Sequence, residues 1–264
     1  MSRRHQTNQE DLWSWIKSEK GTYLQSENLN QKGIKHGFFT KGWEGKSPKE
    51  LIKSIGLELS IHYTKQIHSD YVIEASKASN PPWPAADGLV SDQKGQSLWV
   101  YSADCIPVLF ADPINGLVAA SHAGWRGLAK GILLKTIQKL ESFGAKRNKL
   151  IITLGPAISR AHYQVNLQTA DSIYESIYRK TERMAIGTEE KIQRMIRLGL
   201  VHKDINPEKV NLDIRLSAAL QLYIAGLRYE QISISPFCTF SNQEIFNSWR
   251  RDKSKKRQWS FISS

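Results

Sequence analysis

The sequence predicts a mixed α+β fold, and three observations carry that prediction. From His36 to His122 the chain is a series of short β-like runs divided by Gly, Pro, Asn and Asp turn signals. After Gly124, apolar residues recur at helical spacing, and strand-like runs return near the C-terminus, so strands and helices mix in α+β fashion. With 264 residues and 40% hydrophobic composition the chain can bury a full core and sits at the upper end of a single domain.

In chain order, "NQEDLWSWIKS" reads as a short helix with Leu12, Trp13 and Ile16 on one side, and polar residues follow to Lys32. Residues 1–32 are therefore expected to be an N-terminal appendage to a domain spanning 33–264. The β-like runs are "HGFFT", "HYTKQIH", "YVIEA", "DGLVS", "SLWVYSAD", "IPVLFAD" and "GLVAASH". The segment "GLAKGILLKTIQKLESFG" places Leu128, Ile132, Leu133, Ile137 and Leu140 on one helical face and stops at Gly144. A strand "KLIITLGPAI", a helix from Leu167 to about Arg179, a charged helical stretch from Glu189 to Leu200, a helix "DIRLSAALQLYIAGL" and strands "QISISPF" and "RQWSFI" complete the reading. There is no internal repeat and no low-complexity linker.

No window holds 18 uninterrupted apolar residues and "MSRRHQTNQEDLW" lacks an apolar signal core, which implies a cytoplasmic protein without a membrane span. Cys105 and Cys238 are too few for a disulfide framework. The net charge of +12 is spread along the chain and thickens only in "WRRDKSKKRQW". Such charge suits anionic small molecules as well as RNA, so it does not choose between an enzyme with an anion site and a basic RNA- or protein-binding domain using Arg250 to Arg257. The binding-domain alternative predicts association that weakens with salt and ignores zinc chelation.

The chemistry centres on His68, Cys105 and His122, each at the end of a β-like run, where a rigid scaffold holds side chains that ligands can reach. One thiolate and two imidazoles make a three-ligand set with an open fourth position, the pattern of a catalytic zinc. The residues alone leave a plainer assignment open: a surface histidine, a core thiol and a helix-start histidine, since no CxxC or HExxH spacing is present. Cys105 as the nucleophile of a cysteine hydrolase is open as well.

The segments "HGFFTKGWEGKSP", "KQIHSDYV", "ADGLVS", "YSADCIPVLFADP", "SHAGWRGLAKGI", "LGPAISRAHYQV", "NLDI" and "CTFS" through "FNSWRRD" resemble, in order and wording, the bacterial YfiH/YlmD family. That family carries a polyphenol oxidase or laccase label, is related to mammalian FAMIN, and is associated with purine nucleoside phosphorolysis and adenosine deamination. The resemblance runs from about Ile34 to the C-terminus. It implies a single layered α/β/β/α domain, zinc held by His68, Cys105 and His122, and a purine nucleoside and inorganic phosphate as substrates. Copper is a substitute at the same donors by the Irving–Williams order, but seven histidines are too few for a multicopper oxidase cluster beside them.

For phosphorolysis, Asp104 beside a metal ligand is a candidate general acid/base or a turn-capping aspartate, Arg126 at a helix start a candidate catalytic anion-binding cation or a surface arginine, and Lys41, Gln66, Tyr163 and Arg250 candidate substrate-binding residues. Gly124 and Gly127 around Arg126 allow close backbone approach. The chain departs from the family pattern at Lys41, which replaces an arginine and loses its bidentate fork, at Ala218, Gln164 and Trp249, and in a tail reduced to "KKRQW" around Arg257. The deaminase signatures H-x-E and P-C-x-x-C are absent, so a deaminase here is built differently from the cytidine deaminase type.

Overall fold

A computed structural model describes residues 12–18, 21–178 and 186–264. The chain begins with β1 (Trp13–Ser18), β2 (Gly21–Ser26), α1 (Glu27–Asn30), β3 (His36–Phe39), α2 (Pro48–Ser54), β4 (Ser60–Tyr63), β5 (Val72–Glu74) and β6 (Gly88–Val90). It continues with β7 (Gln96–Ser102), β8 (Ile106–Asp112), β9 (Leu117–Ala123), α3 (Trp125–Ala129), α4 (Ile132–Ser142), β10 (Ile151–Leu154), β11 (Gln164–Asn166) and α5 (Leu167–Tyr178). It ends with α6 (Thr188–Arg197), β12 (Val201–Lys203), β13 (Lys209–Leu212), α7 (Ile214–Ile224), β14 (Ile232–Ile234), α8 (Trp249–Asp252) and β15 (Gln258–Ser263).

Two six-stranded sheets face each other, in the orders β1-β2-β3-β15-β7-β4 and β14-β10-β8-β9-β6-β5, and a small three-stranded sheet joins β11, β13 and β12. Side chains alternate across each strand, which explains the unbroken apolar runs at the centre. On β8, Leu109 and Ala111 pack between the sheets against Leu24, Phe38, Leu98 and Val100. Their neighbours Val108 and Phe110 face the opposite way, onto Leu133 and Ile137 of α4, Ile173 of α5 and Leu222 of α7. The outer face of the first sheet buries Phe39, Trp99 and Phe261 under Trp43 and Leu51. This is the expected α/β/β/α layering.

Two local expectations are corrected. The stretch around Leu12 to Ser18 is not a helix but the strand β1, paired with β2 from Trp13↔Ser26 to Ser18↔Gly21 and so joined to the first sheet. Its alternating large residues Trp13 and Trp15 suit a pleated edge, and the helical spacing of Leu12, Trp13 and Ile16 is outweighed by that pairing. The helix expected after His122 is two helices, broken at Gly131, whose left-handed φ of +83° ends the first and turns the chain into the second. The helix α2 and strands β11 to β13 were not anticipated. "SPKE" at the start of α2 is a legible signal, because Ser47 and Glu50 form a reciprocal capping box with Pro48 at the first turn. The helix from Leu167 ends at Tyr178 among the described residues, and Arg179 lies outside them.

Candidate active site

Strand register builds the site at one end of β9. Ile106 of β8 pairs with Ala123 of β9 and Gly88 of β6 pairs with Ser121. Cys105, just before β8, therefore comes to the Gly124 end of β9, and Asp87, just before β6, lies beside His122. His68 arrives from the loop between β4 and β5. The donor atoms of His68, Cys105 and His122 all lie within 4.8 Å of one another, the one such group of His, Cys, Asp and Glu among the described residues.

Asp87 holds this arrangement. Its carboxylate accepts the backbone N–H groups of Ile67, His68 and Ser69 at 3.1, 3.0 and 2.6 Å and the Ser69 hydroxyl at 2.7 Å. The same carboxylate meets His122 Nδ1 at 2.9 Å, and the Asp87 carbonyl accepts the His122 N–H at 2.8 Å. One fully buried side chain thus fixes the His68 loop, where His68 takes a left-handed φ of +59°, and also orients the His122 ring so that its Nε2 is the free donor. Asp87 is the functional residue that sequence reasoning missed. Its only local signal was the Asp-Gly turn in "ADGLVS".

Gly124 completes the cradle. A Cβ there would stand 2.8 Å from Cys105 Sγ and 3.2 Å from the His68 ring, so only glycine leaves room for the thiol. At Gly127 a Cβ would meet the Ser69 carbonyl at 2.9 Å, so this glycine lets α3 pack on the His68 loop rather than on a ligand.

Electrostatics reinforce the donor set. Burial disfavours the Cys105 thiolate, but the imidazoles of His122 and then His68 outweigh it and bring the thiol down to about 6. Burial likewise disfavours charge on His122, while the Cys105 thiolate and the Asp87 carboxylate bring it up to about 9. A thiolate and two oriented imidazoles match what zinc requires of its ligands, and the residues present fit that metal.

The three donors open into a cleft of about 510 Å³ lined by Tyr101, Trp125, Tyr163 and Trp249 and by the cations Arg126, Arg250, Lys255, Lys256 and Arg257. Much of the basic tail, Arg250 and Lys255 to Arg257, is therefore a wall of this cleft. Arg126 is exposed and lies over the Trp125 ring at 4.4 Å. Arg250 lies over Tyr163 at 5.3 Å and donates to the Gln164 carbonyl at 3.0 Å.

Asp104 lines the cleft with a φ of +94°, but its oxygens are engaged by the Thr239 hydroxyl at 2.7 Å and the Arg250 N–H at 2.7 Å. Gln66 also lines it, with its amide paired to both the N–H and the carbonyl of Tyr101 at 2.8 Å. Lys41 is not brought to the cleft. Its ammonium donates to the Gln243 carbonyl at 2.6 Å in a neighbouring depression with Glu44 and Asp252. Ala218 is buried in the helical core, and Gln164 hydrogen bonds Asp204 at 3.0 Å.

The family described as multi-copper polyphenol oxidoreductase laccase matches residues 46–264. The chain belongs to this family, the YfiH/YlmD family. It is 37% identical to a purine nucleoside phosphorylase of Synechocystis sp. over 97% of this chain and 98% of that one. It is 32% identical to the purine nucleoside phosphorylase YfiH of Shigella flexneri, over 81% of this chain and 78% of its relative. The crystal structure of the hypothetical protein YfiH of Bacillus licheniformis superposes with a TM-score of 0.76 at 25% identity, covering 94% of this chain and 98% of that one. Membership in the family agrees with the mixed α+β layers and with the resemblance read from the motifs. No helix among the described residues is long and apolar enough to cross a membrane.

Proposed function

We propose that this protein is a zinc-dependent purine nucleoside phosphorylase that acts on adenosine, inosine and guanosine in the cytoplasm. The observation that carries the reading is the opening of the His68, Cys105 and His122 donors into a cleft rich in cations and aromatic rings. The names of the Synechocystis and Shigella relatives support it.

Phosphorolysis needs an anion held beneath the ribose and a proton donor or cation near the departing base. Arg126 is suited to bind phosphate, since its guanidinium is exposed in the cleft and, among the described residues, is engaged only by the Trp125 ring face. Arg250 is held from both sides, by Asp104 through its N–H and by the Gln164 carbonyl through its guanidinium, so it presents its remaining donors in a fixed direction. In this reading Asp104 acts through Arg250 as a positioning residue. Tyr163, whose phenol is pushed up by burial, lines the cleft fully protonated and offers its hydroxyl as a hydrogen-bond donor to the substrate. Trp125 and Trp249 supply faces for the base or sugar. Zinc, held by His68, Cys105 and His122, would supply Lewis acidity, and that chemistry also suits adenosine deamination at the same site.

The test is phosphate-dependent release of adenine, hypoxanthine and guanine by purified protein of known metal content, with ammonia release from adenosine followed in parallel. No base release from zinc-loaded protein would overturn the phosphorylase reading.

One observation favours a second reading. Cys105, His122 and Asp87 stand in the order of a nucleophile, its base and the group that orients the base. A cysteine hydrolase would be inactivated by one equivalent of iodoacetamide even with zinc bound, whereas a ligating Cys105 would be protected by the metal.

A further inference from the structure

A second concavity of about 690 Å³ adjoins the metal cleft and shares Tyr101, Lys255 and Arg257 with it. Its wall is an arc of half-buried rings on the outer face of the first sheet. Trp83 packs on Tyr63 with centroids 4.0 Å apart, Tyr63 meets Trp259 edge-on at 5.4 Å, and Trp259 meets Tyr101 edge-on at 5.0 Å. Cross-strand pairing of Trp259 with Tyr101 between β15 and β7 fixes the middle of the arc. Trp83 is carried by a loop in which Pro81, Pro82 and Pro84 restrict the backbone.

The charged residues lining the concavity are Lys65, Lys255 and Arg257, with no carboxylate. None of these three side chains has an acidic partner among the described residues, and Arg257 lies over the Tyr101 ring at 4.5 Å. Neighbouring aromatics such as Phe39, Trp99 and Phe261 are fully covered in the core, so this arc is aromatic surface left in contact with solvent. Exposed ring faces beside uncompensated cations are complementary to a flat heterocycle that carries an anionic group.

We propose that this aromatic concavity is a binding site for a nucleoside 5′-phosphate, with the base against the Trp83–Tyr63 end and the phosphate at Lys65, Lys255 and Arg257. A small nucleotide is favoured over a nucleic acid strand because a concavity of about 690 Å³ falls within the size range of small-molecule sites. The site is distinct from the metal cleft at Trp83 and Lys65, and it does not depend on phosphorolysis.

Isothermal titration calorimetry of the zinc-loaded protein with adenosine 5′-monophosphate, adenosine, inorganic phosphate and a ten-nucleotide single strand tests it without turnover. Expected is binding of the monophosphate at least tenfold tighter than adenosine or phosphate. Trp83→Ala should weaken it about 5- to 160-fold, the range of one base–aromatic stack, and Trp83→Phe should restore most of it. Lys65→Glu, an exposed charge reversal, should weaken the monophosphate and leave adenosine unchanged. Nucleoside turnover, where present, should be the same in all three variants. Equal affinity of the wild type and Trp83→Ala for the monophosphate, or no monophosphate binding at millimolar concentration, would overturn the proposal. So would a strand that binds more than tenfold tighter than the monophosphate, which would make the arc a single-strand platform. Loss of base release with monophosphate binding intact would count against the phosphorylase reading alone.

Discussion

Asp87 and His122, 35 positions apart in the chain, meet side chain to side chain at 2.9 Å and backbone to backbone at 2.8 Å, and the same Asp87 carboxylate gathers three consecutive amides of the His68 loop. The geometry of two of the three donors therefore depends on one carboxylate that is not itself a donor.

Asp87→Asn keeps the shape of the side chain but offers one acceptor oxygen where the loop and ring use two. Zinc affinity should fall about 10- to 100-fold, the usual effect of removing a partner that orients a ligating histidine. Competition with a chromophoric chelator reads the change, and wild-type zinc affinity in this variant would show that His122 is oriented by other means.

Cys105→Ser separates the roles of the thiol. A hydroxyl is a poor zinc ligand at neutral pH, so the variant should lose zinc affinity and turnover together, and added zinc should restore part of both. Normal zinc content with collapsed turnover would instead support the nucleophile reading.

Arg126→Ala should raise KM for phosphate about tenfold or more, since a charge-assisted bond to the anion is removed. Arg126 is exposed and lies over the ring of its neighbour Trp125, so the melting temperature should move by no more than about 2 °C. Parallel loss of stability and activity would mark it as a structural residue.

His36 carries a pH prediction independent of the site. It begins β3 and is fully buried, its Nε2 accepting the Ser26 N–H at the end of β2 at 2.8 Å and its Nδ1 donating to the Ile34 carbonyl at 2.9 Å. Burial holds it down at about 4, against smaller opposing effects of the Ile34 carbonyl and the Glu27 charge. The folded pKa lies below the unfolded value near 6.5, so the unfolded chain takes the proton first. Its stabilising effect is complete above pH 6.5 and is lost as the pH falls toward 4, by about 3 kcal/mol in all. Buried carboxylates add their own loss only below their unfolded values near 4, as with Asp87, held down at about 2. Urea unfolding of wild type and His36→Gln at pH 7, 6 and 5 isolates the effect: the difference between them should shrink or reverse as the pH falls, and a constant difference would refute it.

Much of this protein could be read from its sequence. The apolar runs of β8 and β9 and the helical spacing of α4, α5 and α7 follow from period alone, because strands buried on both faces and helices buried on one leave distinct patterns. The identities of His68, Cys105 and His122 and the family motifs around them were legible for the same local reason. What the sequence left open is set by pairing between distant segments. Register across β6, β9 and β8 brings Asp87 to His122 and Cys105 to Gly124. Pairing with β2 makes β1 a strand despite its helical spacing, and the packing of α8 against Asp104 turns the basic tail into a cleft wall while Lys41 stays outside it. Hydrogen-bond register and burial are properties of the assembled sheets, and no window of sequence shorter than the fold contains them.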